Sequence, residues 1–465
     1  MNSKLNDDLE QIDSILERIK QQGIWYLQDL DTRLTSTEAS VELATKLSEN
    51  GMGTLRALKQ FNQRFEKLIV ASSGPRYWGF VTGGTTPAAI AGDWLTTIYD
   101  QNTQSIKGQG DISATIEVET IKLLLDLFGL PDTFLGGFVT GATMSNFSCL
   151  GVARQWIGKQ SGNDFAKDGI SRKIHVLTAT PHSSVIKSLS MLGMGSNNPT
   201  MIKTLEGNRE AMDITDLERV IDQLDGDPFI LISSGGTVNT VDFDDFTAIS
   251  KLKKKYKFWW HIDAAFGAFA ACSDNYKHLV EGWEFADSIT IDCHKWLNVP
   301  YESAVFLVKQ DHQVIQTETY QNTNAPYINL KADFNYLNFL PENSRRLKAL
   351  PAWFTLMAYG KEGYRDIVEN SVKIAKDLGR SIEESEYWEL LAPVRLNTVC
   401  FTLKGDNEEK VQPFLSRLNN SGKVFMTPTV YKGRTGIRAA FVNWRTSQKD
   451  LEMVLDQMQN SFSKL

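Results

Sequence analysis

Lys295 ends the run "DSITIDCHK" and stands between His294 and Trp296. A lysine at the tip of an apolar strand can serve as an amine nucleophile, although most terminal lysines are simply solvated. Asp263 closes a second apolar run, "FWWHID", and small residues follow it. A carboxylate buried there is costly unless it meets a cation or a strong donor; alone, it reads as a helix cap or a structural ion pair. In "GGFVTGATMSN" a strand ends at Gly141, Ala142 and Thr143, and a helix opens at about Met144. Small residues let a bound group approach the backbone, and the free N–H groups of a helix start attract phosphate. The segment matches neither a Walker A loop nor GxGxxG. His182, after Pro181 at the end of "KIHVLTA", offers an imidazole that can stack on a ring or move a proton.

Each of these has a plain structural reading taken singly. Together they supply an amine for a Schiff base, an acid for a pyridine nitrogen, an aromatic-sized histidine and a phosphate cradle. Pyridoxal phosphate requires such a set.

The elements that must position these groups alternate along the chain. Apolar runs at "GGFVT", "KIHVLTA", "MIKTL", "PFILISS", "FWWHI", "DSITID" and "SAVFLV" read as buried strands. Most are separated by helical stretches such as "DITDLERVIDQL" and "DDFTAISKLKKKY". That alternation predicts an α/β fold with a mostly parallel sheet covered on both faces, with functional residues beyond the carboxyl ends of its strands. Before it, Leu5, Leu9, Ile12, Leu16 and Ile19 recur at helical spacing, with Gly23 expected to end the stripe. A second polar helical stretch is expected from about Ser36 to Ile69. Thr86 is a good N-cap and Pro87 a good first-turn residue for the helix that follows. After residue 345 a long helical stretch from Pro351 precedes short strands such as "NTVCFTL", "KVFMTPTV" and "GIRAAFV", the pattern of a smaller α+β lobe. The expected division is an N-terminal helical segment over 1–75, a large domain over 76–345 and a small C-terminal domain over 346–465.

Composition narrows the class. Hydrophobic residues make up 42% and charged residues 23% of 465, as in ordinary globular chains. A net charge of -7 argues against nucleic acid or an anionic membrane as partner. The basic run "KLKKKYK" falls at a predicted helix end, where cations complement the dipole. Four scattered cysteines suggest reduced thiols, with no disulfide framework and no zinc site. The mixed-charge start and the lack of a long apolar segment point to the cytoplasm.

From "GPRYWGFVTGGTTPAAIAGDWL" to "GIRAAFVNWRT", and most specifically in "HIDAAFGAF" and "DSITIDCHKWL", the chain resembles the group II pyridoxal-phosphate-dependent amino-acid decarboxylases. The resemblance implies a fold of the aspartate-aminotransferase type (fold type I) and a homodimer with active sites at the subunit interface. It implies Lys295 as the Schiff-base lysine, Asp263 as partner of the pyridinium nitrogen, and His182 and Ala265 on opposite faces of the ring. Thr143 and Met144 match the phosphate turn, and Asp292, His294 and Thr237 match further cofactor positions. Thr82 matches a position near the substrate, and Arg438 an arginine that can engage a substrate carboxylate. The loop tyrosine often assigned proton delivery in the family falls opposite Tyr336 or Phe334, depending on one inserted residue. The implied reaction turns a small-molecule L-amino acid into its amine and carbon dioxide. The alternatives are an aldehyde synthase, an aminotransferase or another lyase on the same fold, or a non-enzymatic protein that has kept the fold. Trp78, Trp94, Phe80 and Tyr77 are candidates for an aromatic pocket.

Overall fold

The structure, a computed structural model, describes residues 2–106, 110–321, 335–405 and 407–465. Seven strands form one sheet: β1 (Phe134–Val139), β2 (His175–Thr178), β3 (Thr200–Met201), β4 (Phe229–Ser234), β5 (Phe258–Asp263), β6 (Ser288–Asp292) and β7 (Ala304–Lys309). Their order is β1-β7-β6-β5-β4-β2-β3. The pairs from β6 through β5, β4 and β2 to β3 are parallel. β7 runs antiparallel to both β6 and β1. Every residue of β5 and β6 is buried, as a sheet covered on both faces requires. The register places Ser234 beside Asp263, and Asp263 beside Thr290. The carboxyl ends of β4, β5 and β6 therefore lie level, and the chemistry-bearing residues share one edge.

A second, antiparallel sheet follows, built from β8 (Trp388–Leu390), β9 (Thr398–Leu403), β10 (Thr427–Tyr431) and β11 (Arg434–Ala440) in the order β10-β11-β9-β8. The helix Ala349–Glu384, kinked at Gly360 (φ 57°), packs on helices beside the large sheet and on β8 and β9. Thr86 caps the helix Pro87–Tyr99 as expected, accepting from the Ala89 N–H at 3.2 Å.

Two expectations near the N-terminus are corrected. The helix Ile12–Asp29 runs straight through Gly23. A glycine lowers helix stability but stops a helix only where the chain turns into a C-cap. Between residues 36 and 69 the only helices are Thr54–Arg64 and the single turn Glu66–Leu68. Of the first two helices only Ile15 is buried, while Leu5, Leu9, Leu16, Ile19 and Trp25 are exposed. Lys253, in the basic run, turns back from the last turn of the helix Phe246–Lys255 to the start of β5, donating to the Phe258 carbonyl (3.0 Å) and pairing with the buried Asp287. Among the described residues no helix is long and apolar enough to cross a membrane, and no cluster of His, Cys, Asp or Glu could hold a metal ion. All four cysteines are free.

Candidate active site

The loop after β6 is held in place before it presents Lys295. The Cys293 and His294 N–H groups both donate to the Ser303 carbonyl, at 3.0 and 3.1 Å. Asn298, buried and in the left-handed region (φ 54°), clasps three segments together. Its Oδ1 accepts from the Gly84 and Trp444 N–H groups, and its Nδ2 donates to the Trp296 and Val442 carbonyls. Gly83 packs so closely on the Lys295 peptide that a Cβ there would stand 2.8 Å from the His294 carbonyl oxygen. Trp296 is fully buried and donates to Ser371 Oγ at 3.1 Å, a packing role.

Lys295 thus enters a pocket of about 450 Å³ with Asp263, Ala265, His182, Asp292, His294, Thr143, Thr237 and Arg438. Its Nζ lies 2.8 Å from Asp292 Oδ2, and His294 Nε2 lies 3.7 Å from the same oxygen. The ammonium also stands 5.6 Å from the centroid of the Phe266 ring. Burial lowers the His294 imidazole from its ordinary value, with Asp292 opposing and Lys295 adding. Nδ1 of that ring is bonded to the Ser303 carbonyl at 2.9 Å, and the ring packs on Tyr301 at 4.4 Å.

Asp263 sits across the pocket, its Oδ1 accepting from the Ala265 N–H (3.2 Å) and its Oδ2 from Asn146 Nδ2 (3.1 Å). His182 is the N-cap of the helix Ser183–Met191, its Nδ1 accepting from the Ser184 N–H at 3.2 Å. Desolvation lowers its pKa; Asp263 and Asp292 raise it, and Lys295 and Arg438 lower it further. Gly141, Ala142 and Thr143 line the pocket where the helix Ala142–Gln160 begins, and Ser188 Oγ holds the Thr143 carbonyl at 3.0 Å. The Thr237 hydroxyl donates to Glu210 Oε2 at 2.6 Å. Arg438 donates to the Val238 carbonyl at 3.2 Å, and its buried Nε has no partner among the described residues.

Four expected residues stand apart from the pocket wall or outside view. Thr82 is buried behind the wall, accepting from the Tyr301 hydroxyl at 3.2 Å. Met144 lies in the first helical turn, its N–H donating to the Gly141 carbonyl, and does not line the pocket. Tyr336 is a correction: it is fully buried in the core, donates to the Gly136 carbonyl at 3.2 Å and lies 4.7 Å beneath the Arg345 guanidinium. Packing of the chain after the loop draws it into the sheet's cover, away from the pocket. Phe334 lies outside the described residues. Of the aromatic candidates, Phe80 lines the pocket, Trp78 is core beside Phe441, Trp94 is at the surface and Tyr77 stacks on Phe425. Sequence reasoning missed Asn146, Ser184, Glu210 and Asn298, polar residues inside stretches that read only as helix or loop.

The groups present fit pyridoxal phosphate. A lysine and a carboxylate face one cavity, a helix start supplies N–H groups for phosphate, and buried Asp292 Oδ1 has no partner among the described residues. The sequence profile described as the pyridoxal-dependent decarboxylase conserved domain matches residues 41–404. The chain belongs to this family. It is a pyridoxal-dependent carboxy-lyase with pyridoxal phosphate as its cofactor. The chain is 26% identical to an aromatic-L-amino-acid decarboxylase of Bacillus atrophaeus, over 89% of this chain and 86% of that protein. It is 24% identical to a phenylacetaldehyde synthase of Arabidopsis thaliana, over 84% and 82% of the two chains. In fold it matches Oryza sativa TDC, solved with PLP and tryptamine, at a TM-score of 0.89 and 20% identity, with 98% of each chain covered. The family's fold type I architecture is the one described above, with its mostly parallel sheet of seven strands and its small antiparallel sheet.

Proposed function

We propose that this enzyme converts an aromatic L-amino acid to its amine and carbon dioxide, with Lys295 as the Schiff-base lysine. The reading is carried by the convergence of Lys295, Asp263 and His182 on one pocket at the carboxyl edge of the sheet. When bound, pyridoxal phosphate supplies an electron sink for the bonding pair that departing carbon dioxide leaves behind. Asp263 would hold a proton on the ring nitrogen, and that ion pair would give a buried carboxylate the cation it needs. Lys295, held at the strand tip by Asp292, would supply the amine that anchors the cofactor aldehyde. His182 and Ala265 would contact the ring, Thr143 and its helix start would take the phosphate, and Asp292, His294 and Thr237 would complete the cofactor's surroundings. Arg438, whose Nε has no partner among the described residues, would bind the substrate carboxylate. Phe80, Val81 and Tyr301 give the pocket mouth an aromatic and apolar wall suited to an aromatic side chain, and Thr82 supports it through Tyr301. The exposed apolar face of the first two helices fits burial in a homodimer.

A second reading, oxidative decarboxylation to an aldehyde, is favoured by the similarity to a phenylacetaldehyde synthase. Among the described residues lining the pocket, Tyr301 is the only phenol.

The test incubates purified protein and pyridoxal phosphate with L-tyrosine, L-tryptophan and L-phenylalanine and follows products by mass spectrometry. An amine lighter than its parent by one carbon dioxide is expected, absent in Lys295→Ala, with borohydride fixing the cofactor on the Lys295 peptide. An aldehyde selects the second reading. Turnover of none of the three overturns the aromatic assignment.

A further inference from the structure

Asp263 and His182 come from different strand ends, yet one side chain behind them serves both. Asn146 Nδ2 donates to Asp263 Oδ2 at 3.1 Å and to Ser184 Oγ at 3.2 Å. Ser184 Oγ lies 2.7 Å from His182 Nδ1. On its other side Asn146 Oδ1 meets His261 Nε2 at 2.8 Å, and His261 Nδ1 meets Ser288 Oγ at 2.8 Å. Ser288 Oγ accepts from Trp259 Nε1 at 3.0 Å. Asn146, His261, Ser288 and Trp259 are fully buried.

The donors and acceptors in this chain can run in only one sense. An indole N–H only donates, a carboxylate only accepts, and the Ser184 backbone N–H only donates. Asp263 only accepts, so the Asn146 amide faces it with Nδ2 and faces His261 Nε2 with Oδ1; His261 Nε2 must then carry the proton, and the neutral ring takes the Ser288 hydroxyl proton at Nδ1. The Asn146 amide then turns both N–H bonds toward Asp263 and Ser184. Ser184, with its backbone N–H and its hydroxyl, delivers two donors to His182 Nδ1. The His182 proton is left on Nε2.

We propose that Asn146 is a positioning residue that holds Asp263 as an acceptor and His182 as an Nε2–H donor through this one directional chain. Its amide is the junction of the chain, and His261 is the group that orients it. A neutral His261 suits this part, and burial brings its pKa down to about 4. The inference rests on the reading of Asp263 and His182 as the groups facing the cofactor ring.

Histidine ring 15N correlation spectra of the holoenzyme, assigned with His182→Gln and His261→Gln, are expected to show both rings as Nε2–H. Either ring found as Nδ1–H overturns the chain. The pyridoxal phosphate dissociation constant, measured by equilibrium dialysis, is expected to rise roughly tenfold or more in Asn146→Leu, the size expected for losing a hydrogen bond to a charged group. His261→Phe is expected to do the same, whereas His261→Gln, which keeps a donor, stays within about threefold. Asn146→Leu or His261→Phe binding within about twofold of the parent, while Asp263→Asn binds far more weakly, overturns the positioning role alone. If Asp263→Asn also binds like the parent, the reading of Asp263 fails instead. Should Asn146→Leu not fold, the contrast between His261→Phe and His261→Gln decides.

Discussion

Gly83→Ala isolates how tightly the lysine-bearing loop is held. A Cβ at Gly83 would stand 2.8 Å from the His294 carbonyl oxygen, 3.1 Å from the Lys295 carbonyl carbon, and closer still to the Lys295 carbonyl oxygen. These neighbours are backbone, so no side chain can swing away. The Lys295 carbonyl also accepts from the Asn298 N–H at 3.2 Å, and Asn298 clasps Gly84, Trp296, Val442 and Trp444. Overpacking of this kind costs about 1–3 kcal/mol. With an unfolding entropy of about 2.1 cal/mol/K per residue over 465 residues, each kcal/mol moves the melting midpoint by only about one degree. Heat denaturation is therefore a blunt readout, and the chemistry is a sharp one. Relieving the contact takes a displacement on the order of 1 Å at Lys295, and a misplacement of that size costs roughly a hundredfold in rate. The assay is kcat/KM for release of carbon dioxide, with the thermal midpoint as a control for folding. The expected result is a loss of roughly tenfold to a hundredfold at a midpoint lowered by about 1–3 degrees. A folded Gly83→Ala enzyme with activity within about threefold of the parent would refute the idea that this contact sets the position of Lys295.

Two further predictions concern stability. Glu117 is fully buried, and its Oε1 takes both Arg345 Nη2 at 2.6 Å and the Phe138 N–H at 2.7 Å; Glu117→Gln leaves that arginine uncompensated and is expected to cost about 3–5 kcal/mol in urea unfolding, so an unchanged midpoint would show that the pair carries no net stability. For His261, burial lowers the folded pKa from 6.5 to about 4, so the unfolded chain binds the proton first. Its contribution is complete above pH 6.5 and is lost as pH falls toward 4, on the order of 3 kcal/mol. The buried Asp244, raised from 3.8 to about 6, acts in the opposite sense, losing stability as pH rises through that window. The difference in unfolding free energy between parent and His261→Gln removes the Asp244 term, and parallel curves between pH 6.5 and 4 would count against a neutral buried imidazole.

The sequence alone determined the strands and two of the groups at their tips. An uninterrupted apolar run such as "FWWHI" must be buried on both faces wherever it pairs, and six of the seven runs became strands of the large sheet, while "MIKTL" meets it only at Met201 in the two-residue, exposed edge strand β3. Asp263 and Lys295 were legible because an ionisable residue closing such a run stands out against its neighbours. The Thr86 cap and Pro87 were legible because capping is settled within one helical turn. Only the tertiary structure decided which polar side chains meet. Asn146 and His261 lie 115 residues apart and face each other because crossover helices bring the start of one helix against β5; nothing local distinguishes that asparagine from any other in a helix. Tyr336 lay close in sequence to the loop expected to reach the site, yet its burial against Arg345 and Gly136 is set by packing over β1. Gly23 kept its helix because no turn follows it. Local chemistry specifies strands, caps and charges at strand ends, whereas register and crossover bring distant polar groups within hydrogen-bonding distance.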